Sequence, residues 1–324
     1  MRAAIILYLR THYKNKLSAG SLFNPFKHMK FGAIDIGTNA ARLLVGEVCT
    51  EDNHSFVKKI SYTRIPLRLG GDVFENGTIS PRKETDFIKT IQAFRLISEI
   101  FDVHELRACA TSAMREASNG AAIVEKIRET TGVDIEVISG EEEARLIFGT
   151  FFLLDFDKTS PFLVIDVGGG STEISVFEDG TRVASRSFQL GTVRQLKGKT
   201  QENIYRELKT WIDENIDAEM EHKVFATGGN INKVHKLIGA QYSDPVQVRK
   251  MIKLRKELDK LTLEQREDQF QLKPDRADVI VPACEIYELI FKQLKIKEFY
   301  VPKIGLADGM IYDLHLKEKK KGSL

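Results

Sequence analysis

The chain is poor in the features that mark secreted, membrane-spanning or nucleic-acid-coating proteins. Its 324 residues include three cysteines and no C-x-x-C pair, which excludes a disulfide framework and a zinc ribbon. No apolar run approaches the roughly 18 to 20 residues that a membrane-spanning helix needs. Lys and Arg total 48 against 46 for Asp and Glu, whereas a dedicated nucleic-acid coat protein would need a clear basic excess. We therefore expect a cytoplasmic protein without a membrane partner or a specific nucleic-acid partner.

The remaining composition, 42% hydrophobic and 29% charged, is that of an ordinary globular protein. At roughly 150 residues per domain, the length predicts two domains. Residues 1–28 fit neither domain: the apolar stretch from Ala3 to Leu9 is short for a signal peptide, and no small-residue cleavage pattern follows it. We interpret residues 1–28 as a leader and Met29 as a candidate start. The oligomeric state stays open, a homodimer included.

From Phe31 onward, predicted strands alternate with predicted helices, which indicates an α/β fold with a mixed sheet. Residues 31–48 align without gaps to residues 162–179 with six identical positions, among them Asp35/Asp166 and Gly37/Gly168. This internal repeat predicts two similar domains, each opening with a strand, a glycine turn and a second strand. The predicted domains cover residues 29–156 and 157–306. A closing helix, 307–317, is expected to pack back on the first domain, and 318–324 to form a frayed tail.

The boundaries of two strands and one helix are predicted from local pattern alone. ISYTRIPLRLG (60–70) and ELRACATSAM (105–114) are each predicted to be a strand throughout. Ser118, Asn119 and Gly120 are predicted to cap the helix that follows them.

The turns of the two repeated hairpins have the composition of phosphate-binding turns. Glycine lets the backbone approach a ligand closely, and successive N–H groups in such a turn can bind an anion. Asp35 and Asp166, which end their strands, suit a hydrated divalent cation such as Mg²⁺. The predicted phosphate donors are Gly37, Thr38 and Asn39 in the first turn and Gly168, Gly169, Gly170, Ser171 and Thr172 in the second.

The segment from Ser139 to Arg145 holds a candidate general base. Ser139 with Glu142 predicts a capping box, and Glu141 with Arg145 predicts an i,i+4 ion pair, so these acids have structural roles. Glu143 has neither role and instead continues the apolar stripe of its helix by one turn. A carboxyl group at the end of a buried stripe, facing a cleft, is placed to act as a general base with a raised pKa.

Three further candidate site features each allow a functional and a structural interpretation. Glu173 lies beside the second turn and could hold metal or position water, or it could be an exposed strand residue. Arg115 precedes a capped helix and could bind phosphate oxygens or lie on the surface. The turn Gly228, Gly229 and Asn230 could approach a ligand, or it could be a strand-to-helix turn with Asn230 as N-cap.

Together these motifs resemble the exopolyphosphatase/guanosine pentaphosphatase (Ppx/GppA) phosphatase family, within the actin-like, sugar-kinase and Hsp70 ATPase superfold. The resemblance extends from about Phe31 to the closing helix and rests on AIDIGTN, ATSAMREA, ISGEEEARLIF, LVIDVGGGSTEIS, FATGGN and IGLADGM. It implies two similar actin-like (ribonuclease H-like) domains, with mixed sheets flanked by helices and a cleft between them. The chain has no His-Asp dipeptide, so we expect the short, two-domain form of the family.

The resemblance also implies roles for individual residues. Glu143 corresponds to the catalytic base, Asp166 and Glu173 to the acids that position metal and water, and Arg115 to a phosphate-contacting arginine. Asp35 to Asn39 and Gly168 to Thr172 correspond to the phosphate-binding turns. Ala40 replaces a usual hydroxyl residue, and Ala307-Asp308 departs from the usual basic-acidic run.

The expected activity is release of terminal phosphate from inorganic polyphosphate, guanosine pentaphosphate or both, with Mg²⁺ or another divalent cation as cofactor. Two alternatives stay open. One is an ATP-dependent kinase or ATPase of the same superfold, and the other is a non-catalytic sensor that binds polyphosphate or an alarmone.

Overall fold

A computed structural model describes residues 29–51, 54–241 and 244–321, so the leader predicted at 1–28 and the end of the predicted tail lie outside the described residues. Two mixed sheets organise the chain. The first has the order β3-β2-β1-β4-β5 and is formed by β1 (Lys30–Ile36), β2 (Ala41–Glu51), β3 (His54–Ile65), β4 (Glu105–Ala110) and β5 (Ile135–Val137). The neighbouring pairs β3-β2 and β2-β1 are antiparallel, whereas β4 and β5 continue the sheet in parallel with β1.

The second sheet repeats this order with one strand fewer. It is formed by β6 (Phe162–Val167), β7 (Thr172–Glu178), β8 (Thr181–Phe188) and β9 (Lys223–Thr227), in the order β8-β7-β6-β9. The pairs β8-β7 and β7-β6 are antiparallel and β6-β9 is parallel. The internal repeat of the sequence is therefore a repeat of topology. A small separate sheet pairs β10 (Val246–Gln247) with β11 (Glu298–Phe299).

Helices flank both sheets. In the first half they are α1 (Leu69–Asn76), α2 (Pro81–Ile100), α3 (Ser112–Glu116), α4 (Gly120–Thr131) and α5 (Gly140–Gly149), followed by a 3₁₀ turn at Thr150–Leu153. In the second half they are α6 (Thr192–Leu196), α7 (Glu202–Asn215), α8 (Gly229–Ile238), α9 (Val248–Asp259), α10 (Leu263–Phe270), α11 (Pro274–Ala277), α12 (Ile280–Gln293) and α13 (Leu306–Lys321). Helix α2 illustrates why these residues form a helix. Pro81 occupies its first turn, and Phe87, Ile91 and Phe94 are buried at helical spacing. No described helix is both long enough and apolar enough to cross a membrane.

Three apolar cores hold these layers. One packs the first sheet against α2 and α4, and a second packs the other sheet against α7, α8, α9 and α12. The third lies between the two sheets and contains Phe31 of β1, Phe162 of β6, Ile147 of α5 and Met310 of α13. Helix α13 contacts β1, β2 and α5. The helix that carries Glu143 is therefore packed between the two sheets.

Two of the predicted boundaries are wrong. The strand predicted over 60–70 ends at Ile65, which pairs with Ala41 where β2 begins, and the chain then turns with Arg68 at a positive φ of 52°. The strand predicted over 105–114 ends at Ala110, because both neighbours end there, at Ile36 and Val137. Residues beyond such an edge have no ladder to join and form α3 instead.

Candidate active site

The turns of the two hairpins meet at one place between the sheets. Thr38 of the first turn packs against the glycines of the second, so a Cβ added at Gly170 would lie 2.8 Å from Thr38 Oγ1. Only glycine permits this approach. A cavity of about 630 Å³ opens beside the contact. Most of the residues singled out in the sequence line it: Asp35, Gly37, Thr38, Asn39, Glu143, Asp166, Gly168, Gly169, Gly170, Ser171, Gly228, Gly229 and Asn230.

Three predicted site residues do not line this cavity. Arg115 is exposed, and its Nη1 donates a hydrogen bond of 2.5 Å to the backbone carbonyl of Ile138. Thr172 is fully buried, and its hydroxyl donates to the carbonyl of Leu190 at 2.5 Å rather than facing the cavity. Glu173 is 4% exposed and lies behind the cavity wall. The side chains of Arg115 and Thr172 are therefore not placed for the phosphate contact that the sequence suggested, and Glu173, expected to hold metal or position water, does not face the cavity.

Two carboxyl groups face each other across the second hairpin. Asp166 and Glu173 are cross-strand partners on β6 and β7. The Glu173 carboxylate accepts a 2.6 Å hydrogen bond from the Ser187 hydroxyl, and Asp166 accepts one of 2.8 Å from Thr227. Burial raises the pKa of both groups, and the neighbouring Asp166 charge helps to raise the pKa of Glu173 to about 7.

Glu143 lies on the cavity wall, in the first turn of α5. The helix begins after Ser139, whose hydroxyl accepts a hydrogen bond of 3.1 Å from the Glu142 N–H. Oε2 of Glu143 is buried and has no hydrogen-bond partner in the described part of the chain. Burial, followed by the charges of Glu173 and Asp166, raises the pKa of Glu143 well above its ordinary value. A carboxylate with a raised pKa is a stronger base, so this environment is suited to accepting a proton.

The other acids of this helix turn have different partners from those expected. Arg145 pairs with Glu142 at 2.6 Å and not with Glu141, whose side chain is 83% exposed. The capping box is half formed, because Ser139 caps the helix while Glu142 is held by Arg145 and Arg107. These pairs leave Glu143 as the acid of this turn that lines the cavity.

The first hairpin places opposite charges where the second places two acids. Asp35 pairs in register with Arg42, and Arg42 Nη1 lies 2.5 Å from Asp35 Oδ2. Burial alone would lower the pKa of Arg42, but the Asp35 charge more than compensates and raises that pKa above its ordinary value. Because its charge is neutralised by Arg42, Asp35 is a weaker candidate than Asp166 for a cation ligand.

The sequence reasoning missed a second arginine of the cavity wall. Arg276 packs its guanidinium against Gly229 and donates a 2.8 Å hydrogen bond to Oδ1 of Asn230. Burial, then the like charges of Arg64 and Arg42, lowers its pKa to about 10. A desolvated cation beside two others is poised for an anionic ligand. The sequence offers no periodic or motif signal for Arg276. The position of Arg42 opposite Asp35 could have been predicted from the strand register of the first hairpin.

In the third glycine turn, Asn230 is not the N-cap residue that one interpretation of the sequence predicted. Gly228 is the N-cap residue of α8, at a φ of 107° that favours glycine. Asn230 lies inside the helix and is buried, bonded to Arg276. The predicted cap at Asn119 is not formed either. Asn119 occupies the N-cap position of α4, but its side-chain amide is bonded to the N–H and the carbonyl of Ile79 instead of the helix.

The acids fit a divalent cation only together with a ligand. In the described ranges, no three His, Cys, Asp or Glu side chains are grouped to hold a metal ion. Asp166 and Glu173 nevertheless supply hard oxygen donors beside the unpartnered carboxyl oxygen of Glu143. Mg²⁺ is usually bound through one or two carboxylates, with phosphate and water completing the shell. The donor chemistry therefore fits Mg²⁺ held jointly by protein and substrate.

Two mixed sheets with glycine-turn hairpins facing one cleft define an actin-like fold. The chain superposes on the exopolyphosphatase from Cytophaga hutchinsonii ATCC 33406 with a TM-score of 0.75, at 22% identity, over 89% of this chain and 98% of that one. The sequence matches the Ppx/GppA phosphatase family over residues 48–318. The chain belongs to the Ppx/GppA phosphatase family, so the expected family and fold are confirmed.

Three proteins similar in sequence to this chain are named for different activities. It is 26% identical over 306 residues to exopolyphosphatase 1 of Mycobacterium tuberculosis, covering 87% of each chain. It is 26% identical over 298 residues to the guanosine-5'-triphosphate,3'-diphosphate pyrophosphatase of Aliivibrio fischeri, covering 88% of this chain and 59% of that protein. It is 31% identical over 197 residues to a bifunctional 3-dehydroquinate synthase/phosphatase of Fusobacterium nucleatum, and this match covers 57% of this chain and 30% of that protein.

Proposed function

We propose that this chain releases terminal phosphate from inorganic polyphosphate, guanosine pentaphosphate or both. The family assignment and the named activities of similar proteins support a phosphohydrolase. The observation that carries the proposal is the position of Glu143. Its buried, unpartnered carboxyl oxygen belongs to a residue that lines the same cavity as both glycine turns.

In the proposed reaction, Glu143 orients a water molecule and takes one of its protons. The water oxygen attacks the terminal phosphorus in line with the bridging oxygen, and the bond from phosphorus to that oxygen breaks. The shortened chain leaves with the bridging oxygen, and inorganic phosphate is the second product. The raised pKa of Glu143 makes its carboxylate a stronger base than an ordinary glutamate.

We assign charge neutralisation to three sets of groups in the cavity and behind its wall. The backbone N–H groups of the second turn would bind the terminal phosphate, and Arg42 and Arg276 would bind oxygens further along the chain. Asp166 and Glu173 would hold Mg²⁺, which supplies positive charge at the phosphate oxygens. Glu173 would act from behind the wall, kept in place by Ser187.

A phosphate-release assay tests this function. Polyphosphate, guanosine pentaphosphate and ATP should be incubated separately with the protein and Mg²⁺, alongside Glu143→Gln. We expect phosphate from at least one of the first two substrates and little from the variant. Transfer of phosphate from ATP to an acceptor would instead indicate a kinase. Binding of polyphosphate without any hydrolysis would indicate a sensor.

A further inference from the structure

All three carbonyls of the second glycine turn are held by one short segment. The N–H of Thr192 donates to the Gly168 carbonyl at 3.1 Å, and the N–H of Val193 donates to the Gly169 carbonyl at 2.8 Å. The Arg194 side chain completes the set, because its Nε donates to the Gly170 carbonyl at 2.8 Å. Residues 192–194 therefore determine which way the peptide planes of this turn face.

The orientation of these carbonyls fixes the orientation of the N–H groups. In a planar trans peptide, the carbonyl and the following N–H point in opposite directions. The N–H groups of Gly169, Gly170 and Ser171 are thus directed away from residues 192–194. They have no acceptor in the described part of the chain, and all three residues line the cavity. Three free donors directed to one side form an anion-binding surface.

Arg194 also connects this turn to the first half of the chain. It is 5% exposed, its guanidinium carbon lies 4.1 Å from the centre of the Phe74 ring, and its Nη2 donates to Glu116 Oε1 at 2.5 Å. The same Glu116 oxygen accepts a 3.0 Å hydrogen bond from Ser112, which lines the cavity. One guanidinium thus holds the Gly170 carbonyl and reaches across to α3.

We propose that Arg194 is a positioning residue for the phosphate site: it orients the Gly170–Ser171 peptide so that the turn binds phosphate with its N–H groups. The inference rests on the proposed function and deepens it, since Arg194 itself does not line the cavity. Without its side chain, the Gly170 carbonyl is released and can rotate toward the cavity. An oxygen would then face the phosphate in place of a donor.

The competing explanation is that Arg194 only stabilises the fold. Arg186 provides a matched control, because it also stacks on a phenylalanine, Phe188 at 5.0 Å, and pairs with a glutamate, Glu207 at 3.0 Å. It is half-exposed on β8, and neither it nor its two partners lines the cavity. Removing Arg186 deletes the same kinds of contact without releasing a turn carbonyl.

The experiment compares Arg194→Met, Arg194→Lys and Arg186→Met with the wild type. Kinetics of phosphate release, the dissociation constant for inorganic pyrophosphate and the melting temperature are measured for each. Loss of an oriented donor typically lowers turnover by about 10²-fold, so we expect a loss of that order in kcat/KM for Arg194→Met. Pyrophosphate should bind at least about tenfold more weakly to this variant. Arg194→Lys, which keeps one donor, should recover part of both losses, and Arg186→Met should resemble the wild type.

A second measurement keeps the test decisive if Arg194→Met is unstable. In Arg194→Ala, added guanidinium ion at low millimolar concentration should restore part of the activity, which a purely structural defect would not permit. The proposal is overturned if Arg194→Met binds pyrophosphate as the wild type does, or if Arg186→Met shows the same loss. Absence of phosphate release by the wild type would refute the proposed function instead, while pyrophosphate binding would still report on Arg194.

Discussion

Asp166 lies directly across the second hairpin from Glu173, which is buried, so two carboxyl groups occupy adjacent positions on one face of a sheet. Like charges at such positions destabilise a sheet. In the first hairpin the equivalent positions carry Asp35 and Arg42, which neutralise each other. The second hairpin therefore keeps an electrostatic repulsion that the first one removes. A cation bound between the two acids would relieve it.

Chelation of divalent cations should abolish phosphate release and leave the fold intact. The acids that would hold the cation lie at the ends of strands beside the cavity, whereas the three apolar cores do not include them. Circular dichroism should show unchanged secondary structure, and added Mg²⁺ should raise the melting temperature by relieving the repulsion between Asp166 and Glu173.

The double substitution Asp166→Asn with Glu173→Gln is the matched variant for this measurement. It removes both charges at nearly constant volume, so its melting temperature should no longer respond to Mg²⁺. Full hydrolysis in excess chelator would exclude these residues as metal ligands.

Glu143→Gln should reduce turnover by about 10²- to 10⁴-fold, the usual contribution of a general base. The amide is nearly isosteric but cannot accept a proton from water, so binding of pyrophosphate should change little. Glu141→Gln is the control, because Glu141 lies in the same helical turn and its side chain is 83% exposed. Near-normal turnover of Glu143→Gln would remove this residue from the mechanism.

The stability of Glu143→Gln should exceed that of the wild type in a pH-dependent way. The pKa of Glu143 is raised in the folded chain above its ordinary value of 4.5, so the folded state holds a proton that the unfolded state releases. The resulting stabilisation is complete below pH 4.5 and is lost as pH rises through the raised value. Metal-free melting temperatures from about pH 5 to 8 should therefore diverge in favour of the variant. Parallel curves would contradict the raised pKa.

Arg276→Met should raise KM for phosphate substrates with little loss of stability. Burial and two neighbouring arginines disfavour the charge of Arg276. Removing that charge therefore offsets part of the stability that is lost with the Asn230 hydrogen bond. Charge-assisted hydrogen bonds contribute about 1.5–3 kcal/mol, which corresponds to roughly 10- to 150-fold in kcat/KM. Arg249→Met is the control, since Arg249 is exposed. An unchanged KM would exclude contact between Arg276 and substrate.

The two hairpins are predictable from the sequence because both of their signals are local. Alternating apolar residues define the strands, and the glycines mark the turns, so the internal repeat alone puts Asp35 and Asp166 at equivalent positions. Glu143 is identified by elimination within one helical turn. These features depend on residues that are close together in the chain.

Arg276 and Arg194 could not be predicted because their partners are distant in sequence. Arg276 meets Asn230 across 46 positions, and Arg194 meets Glu116 across 78. Such contacts follow from how separate elements pack against one another, which no periodicity encodes. At Thr172 the local pattern gives a wrong prediction. Its hydroxyl lies next to a phosphate-type turn and is predicted to bind phosphate, but packing of β7 against the chain at Leu190 directs it inward.

Two ion pairs join the end of β3 and the turn after it to the segment around α11: Arg64 pairs with Asp275, and Arg68 pairs with Asp278 at 2.5 Å. We propose that residues 29–156 and 157–306 are two domains that open about a hinge near 155–161, and that these pairs favour the closed state.

Asp278→Asn should therefore raise KM more than it lowers kcat. Loss of a partly buried pair of this kind changes a closure equilibrium by about 1 kcal/mol, or about fivefold in apparent affinity. Asp259→Asn is the control, because Asp259 pairs with Arg255 within α9 and crosses no cleft. In hydrogen exchange, saturating pyrophosphate should protect the turns around Thr38 and Gly170 together, and Asp278→Asn should need more pyrophosphate for the same protection. Protection of one turn alone would refute closure of both domains on one ligand and leave an anion site on a single domain, because ligand contacts that bridge the cleft must protect both sides.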